Sequence, residues 1–322
     1  MRNALIALGF FLIALSNSAF ADGSDMASIY QYQTPAEKFQ IWPIFTYLNG
    51  SASMNNTSQF FTDIKATGTA EILRAEYGIN PNFAVGLDLG MASSTTKPSF
   101  KAPRTSANTT IPESIDSSGM INPSIFGLGR FPGIGPGTLT VGLPVYLSMS
   151  KHTVDNTTFK SNADTGGSFI LPAVGYEMSP APGTKYGVKL YTTILLSDRK
   201  IEDKSFNTTS NETQTGGEHT ELSFFYEMPV AQTVLVGAAV AWEGRNGTKT
   251  KDKKFTAAGS TTKDDNGSAG FGGGFYAAYL PTENIFIVPT IRWDQTANTS
   301  DTSNVKSVSQ LNATLYAVFT IF

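Results

Sequence analysis

Cysteine is absent from the 322-residue chain, which rules out disulfide staples, thiol nucleophiles and thiolate metal sites. Charge is sparse: Asp, Glu, Lys and Arg make up 15% of the residues, against about a quarter in an average soluble domain. The two signs nearly cancel, to a formal net charge of -3. The chain therefore lacks the basic surface that nucleic acid requires, and no nucleic-acid partner is expected. Only two histidines occur, His152 and His219. No long apolar run follows residue 21, whereas a membrane helix needs about 20 consecutive apolar residues. A mean hydropathy of -0.10 excludes a helical membrane bundle but suits a membrane barrel, where apolar and polar residues alternate.

The one apolar run lies at the start. Arg2 precedes Ala4 to Leu15, and Ser18-Ala19-Phe20-Ala21 follows with small residues where a signal peptidase needs them. This order reads as a cleaved secretory signal over residues 1–21, too short for a membrane anchor. A periplasmic segment is expected over 22–37, then a single unit over 38–322.

That unit divides into about twelve short alternating segments, near 38–49, 66–78, 82–93, 119–131, 138–150, 167–178, 185–197, 219–228, 233–244, 268–280, 284–295 and 306–322. In Phe83 to Met91, the residues Phe83, Val85, Leu87, Leu89 and Met91 share one face, with Gly86, Asp88 and Gly90 on the other. A period of two marks β-strands with each face in a different medium. The connections alternate in length. Brief Pro- or Asn-containing ones (such as Ile79 to Asn82 and Pro281 to Asn284) exchange with long polar ones (such as Asn49 to Lys65, Lys151 to Gly166 and Asp198 to Glu218). Short periplasmic turns and longer extracellular loops give this pattern, and an even strand count leaves both ends on the periplasmic side.

A water-soluble sandwich would show the same alternation. The export signal, the sorted connections and the aromatics at strand ends (Tyr77, Phe83, Trp242, Tyr279, Trp293) favour an all-β, antiparallel transmembrane barrel in a Gram-negative outer membrane. The last segment ends on Phe322, with Val318 and Tyr316 at alternating positions before it. This end resembles the C-terminal insertion signal of bacterial outer-membrane proteins, although Thr320 stands where that signal usually has an apolar residue. The resemblance implies that the barrel assembly machinery and outer-membrane lipid are partners.

Alternation aims a set of charges at the lumen, since a lipid-facing Arg or Lys costs about 2–4 kcal/mol at the midplane. The set is Arg74, Glu76, Asp88, Arg130, Lys189, Glu221, Glu227, Glu243, Arg292 and Asp294. These are the expected pore-lining residues. Pro43, Pro123, Pro144, Pro172 and Pro289 fall inside expected strands, where each removes a ladder donor, so bulges or kinks in the wall are expected there. Gly272-Gly273-Gly274 precedes no helix and is expected to mark a bend or a close packing.

The expected function is passive passage of a small-molecule solute. The signal, the strand count and the glycine- and aromatic-rich strands resemble the outer-membrane transporter family associated with phenol degradation (the MetA pathway). That resemblance implies a small hydrophobic or aromatic solute. Two alternatives stay open: a lipid-acting enzyme using His152 or His219, or a structural or adhesive barrel. The sequences after the histidines, Thr153-Val154-Asp155 and Thr220-Glu221-Leu222, lack a serine two positions on, as barrel phospholipases require. No catalytic residue, cofactor or metal is therefore expected. N-terminal sequencing of the exported protein should begin at Asp22; a chain still carrying Met1 in the outer membrane would contradict the reading.

Overall fold

A computed structural model describes residues 34–54, 61–100, 113–155, 158–205, 208–252, 262–265, 267–298 and 305–321. No helix occurs among them. The strands form one closed wall of twelve: β1 Phe39–Met54, β2 Phe61–Asn80, β3 Phe83–Phe100, β4 Ile115–Met120 with Ser124–Ile134, β5 Gly137–Tyr146, and β6 Phe169–Ile170 with Ala173–Ala181. The round continues with β7 (Thr184–Thr192, Ile194–Leu195 and Arg199–Ser205), β8 (Thr208–Gly216 and His219–Ala231), β9 (Val234–Arg245 and Thr248–Asp252), β10 (Thr262–Asp265 and Ser268–Thr282), β11 Ile285–Asn298 and β12 Val305–Ile321. Each pairs antiparallel with the next, and β12 returns to β1 through Phe39↔Ile321 and Leu48↔Asn312. Closure satisfies every strand edge, a condition for crossing lipid.

The large exposed apolar residues form an outer belt. On β3 it runs from Phe83 to Met91; elsewhere it includes Leu73, Ile125, Leu143, Leu190, Phe224, Val240, Phe275, Ile291 and Leu315. Tyr77, Phe83 and Tyr279 sit on its margin at the short-turn end, and Trp242 and Trp293 higher on the outer face, as an interfacial girdle requires. Beyond Met91, Met149 and Leu196 no large apolar residue is exposed on the described extensions of β3, β5 or β7. Lys97 shares the outward parity of Leu89 but stands above the belt.

Above the belt the structure departs from expectation. Much of what reads as long loop is strand: β1 continues to Met54, β3 to Phe100, and the second arms of β7 to β10 pair with one another. Thr- and Ser-rich stretches such as Ser93 to Thr96 and Thr208 to Thr215 lack apolar alternation, so the sequence pattern is silent. Their β-branched threonines and continuous ladders hold them extended nonetheless.

The wall between β4 and β7 is also not uniformly antiparallel. A short hairpin, His152–Asp155 with Lys160–Ser161, takes over the upper wall where β5 stops at Tyr146. It runs parallel to β7 (Ile201↔His152) and to β4 (Asp116↔Lys160). Below it the ladder skips at Pro123, Pro144 and Pro172 on three successive strands. Leu147, Leu171 and Thr192 donate to the carbonyls of these three prolines at 2.9, 3.0 and 3.2 Å. Buried Asp164 closes the gap by accepting from the Met149, Ser150 and Gly166 amides at 2.8, 3.0 and 2.7 Å. Pro43 and Pro289 face outward, where the β1–β12 and β10–β11 pairings skip.

Inside, Trp42, Ile44, Tyr276, Ala278, Val288, Tyr316 and Val318 make one apolar cluster. Tyr316 and Val318 thus point inward, and Leu311, Leu315 and Phe319 carry the outer face of β12. Phe322 lies outside the described residues. Leu89→Arg, in mid-belt opposite Leu73, should cost about 2–4 kcal/mol of stability in vesicles, and Ser93→Arg less than about 1 kcal/mol. Denaturant titration of both variants tests the height of the belt.

Candidate functional site

Strand parity places all ten expected lumen charges on the inner face, eight of them buried and Arg130 and Asp294 half-buried. They fall into two groups.

The lower group gathers near the end of the wall that carries the short turns. Register sets Arg74 directly opposite Asp88. The guanidinium donates through Nε and Nη2 at 2.8 and 3.1 Å, a bidentate pair, and the Ser124 hydroxyl adds 2.8 Å to the same carboxylate. The Arg74 cation rests 4.7 Å over the Phe126 ring and 5.8 Å over Trp42. Glu76 accepts from the Thr34 amide and hydroxyl at 3.2 and 2.7 Å, so the chain enters the inner face before β1 begins. Arg130 pairs with Glu177. Glu227 accepts from the Tyr276 hydroxyl at 3.0 Å.

The upper group centres on Arg292. From β11 its Nη2 reaches Glu221 on β8 at 2.6 Å, while Nε donates to both oxygens of Asp294 at 2.8 and 3.0 Å. Tyr191 donates to the same Glu221 oxygen at 2.8 Å. His219 Nε2 stands 3.1 Å from Glu243. The Lys189 ammonium lies 5.4 Å from the Tyr191 ring centre.

Two of these contacts, Tyr276 to Glu227 and Arg292 to Glu221, run as chords across intervening strands, and glycine makes the space for the first. The Tyr276 side chain crosses β9 over Gly237, where an added Cβ would lie 2.1 Å from the ring. Asp294 lies over Gly272 of β10, where a Cβ would meet its Oδ1 at 2.0 Å. The Gly272-Gly273-Gly274 run therefore marks a close packing.

Glu177, Tyr191, Tyr276, Ser124 and Thr34 belong to these networks and were not among the expected residues. Glu177 and Tyr191 share inward parity with neighbours that were named, so alternation could have found them. Tyr276 could not be found that way, because only the chord over Gly237 gives it a partner.

The two histidines differ. His219 is an inner-face member of the upper group. His152 is buried in the inserted hairpin, its Nδ1 2.8 Å from the Asp164 carbonyl oxygen and its Nε2 without a hydrogen-bond partner. Neither ring bonds a serine hydroxyl among the described residues. Above the belt, Arg199 is held down to about 10, first by burial and then by Arg245. Burial likewise holds the His152 imidazole below its ordinary value, outweighing the Asp164 contact.

No family model matches the chain, and no curated protein matches it. Among solved structures it is similar to an outer-membrane channel from Pseudomonas putida F1, with 13% identity over 88% of this chain and 96% of that one, at a TM-score of 0.60. A variant of the TodX monoaromatic hydrocarbon channel aligns at 8% identity over 91% of this chain and 94% of that one, TM-score 0.48. The CymD monoaromatic hydrocarbon channel aligns at 9% identity over 94% of each chain, TM-score 0.41. The first of these is a likeness of fold.

With its folded pKa lowered, His152 stays neutral in the closed hairpin while the opened form takes up a proton near pH 6.5. Hairpin stability is therefore full above that value and falls as pH drops through it. Amide protection at Val154 and Ile201, corrected for the intrinsic pH dependence of exchange, should fall below pH 6.5 in the native protein and not in His152→Phe; equal pH profiles would refute the assignment.

Proposed function

We propose that the protein is an outer-membrane channel through which small molecules pass passively. The reading rests on one observation above the others: the inner face of a closed twelve-strand wall carries paired charges and hydroxyls held in place by their neighbours. A barrel serving only as an anchor would gain more from an apolar filling, because each buried ion pair repays its desolvation only in good geometry. A wall of this strand number lies between filled eight-stranded barrels and open sixteen-stranded porins. The shared fold with an outer-membrane channel agrees with this reading, though fold alone does not assign function.

In this proposal the ten inner-face charges line the route. The belt meets outer-membrane lipid, residues 1–21 direct export, and Tyr316, Val318 and Phe322 are the signal that the assembly machinery engages. The five prolines kink the wall. Aromatic rings stand beside the charges, Trp42 next to Arg74 and Tyr191 next to Glu221. The solutes we assign are accordingly small compounds that combine an apolar or aromatic body with a polar group.

Planar-bilayer recording on the purified mature protein tests the proposal. Steady ohmic conductance is expected from the native protein. Arg292→Ser removes the chord from β11 to Glu221 and one positive charge, so it should raise conductance and shift selectivity toward cations. Silence from both proteins, each shown folded by its far-ultraviolet strand signal, would sink the proposal.

A further inference from the structure

We propose that His219, Glu221 and Glu243 form a binding site for a divalent transition-metal ion on the inner wall of the barrel. One donor atom from each of the three lies within 4.8 Å of the others. Two adjacent strands fix them. Glu221 on β8 stands directly opposite Glu243 on β9, and His219 is two residues along β8 on the same inner face.

Facing carboxylates across a ladder repel each other and weaken the pairing unless something offsets them. Here the offset is incomplete. Arg245 stands opposite His219 across the ladder and the Lys189 ammonium lies beside Tyr191, while the carboxyl groups of Glu221, Glu243 and Asp294 gather around the guanidinium of Arg292. That cation is shared between Glu221 and Asp294 and makes no ion pair with Glu243.

Glu243 carries the independent sign of a missing ligand. It is 8% exposed, and its Oε1 is buried without a hydrogen-bond partner, an arrangement that costs the full desolvation of that oxygen. Its other oxygen meets His219. A cation between the imidazole and the two carboxylates would satisfy the orphan oxygen and remove the repulsion together.

Glu221 is already oriented for such a role. Tyr191 and Arg292 hold its Oε2 at 2.8 and 2.6 Å, and Arg292 Nη1 reaches its Oε1 at the longer distance of 3.4 Å; a carboxylate has about four lone-pair sites, so acceptor capacity remains. Outer partners of this kind commonly aim metal ligands. One imidazole with two carboxylates suits zinc and its neighbours in the divalent series, whereas calcium prefers six to eight oxygens. Three protein ligands leave a fourth position for water or a passing solute.

Isothermal titration of the untagged mature protein in detergent with zinc chloride tests the site. One zinc per chain is expected, with calcium chloride failing to compete. Glu243→Gln and His219→Gln nearly keep the side-chain volumes and should each weaken zinc binding at least about tenfold. Tyr191→Phe should weaken it by a smaller factor while leaving all three ligands in place. Absence of saturable one-to-one binding overturns the proposal. So does unchanged zinc affinity in both ligand variants, once far-ultraviolet circular dichroism shows them folded, or equal displacement by calcium. The titration requires no conducting state, so its outcome is separate from the bilayer result.

Discussion

Inside lipid no water is available to a backbone amide, so the pairing of β1 with β12 is the contact on which the rest depends. From Phe39↔Ile321 up to Ser53↔Ser307 the first and last strands supply each other's edge, and the other pairings follow round the wall. Closure also fixes parity. Once every strand has two neighbours, each side chain of the wall faces either lipid or lumen. The outer belt and the inner charges are two consequences of one condition. Leu89 can face lipid because Asp88, beside it, has Arg74 to face inside.

The lumen is then arranged by chords. A side chain on one strand meets a partner several strands away only if the strands beneath present no side chain in its path. Gly237 provides that clearance under Tyr276, and Gly272 makes room for Asp294, which holds the Arg292 guanidinium from its own strand. Gly86 does the same for Phe126, whose ring in turn supports Arg74. A glycine that weakens a strand locally is what allows β8 and β10 to be tied together across the interior.

The wall between β4 and β7 meets the backbone requirement by other means. Pro123, Pro144 and Pro172 remove donors on three neighbouring strands, and the carbonyls of the same prolines accept from the strand alongside. Asp164 and Asn122 supply side-chain partners for amides that a regular ladder would have paired. The inserted hairpin carries the wall upward with parallel pairing, and His152 is buried in it. Backbone satisfaction is kept there by side chains rather than by the ladder.

The sequence by itself determined strand number, connection order and the face each strand residue takes. A period of two is a local property, and a buried or lipid-facing side chain needs no distant partner to declare its side. Phe83 to Met91 and the ten inner-face charges were legible for that reason. What the fold alone decided was partnership. Arg74 finds Asp88 through register, Arg292 finds Glu221 three strands away, and Tyr276 enters the network through a chord over Gly237 that no spacing reveals. The extensions above the belt and the parallel hairpin were hidden as well, because water on both faces erases the alternation that marks a strand. Sidedness is written residue by residue, whereas who meets whom across a lumen depends on where the closed wall places both ends of the contact.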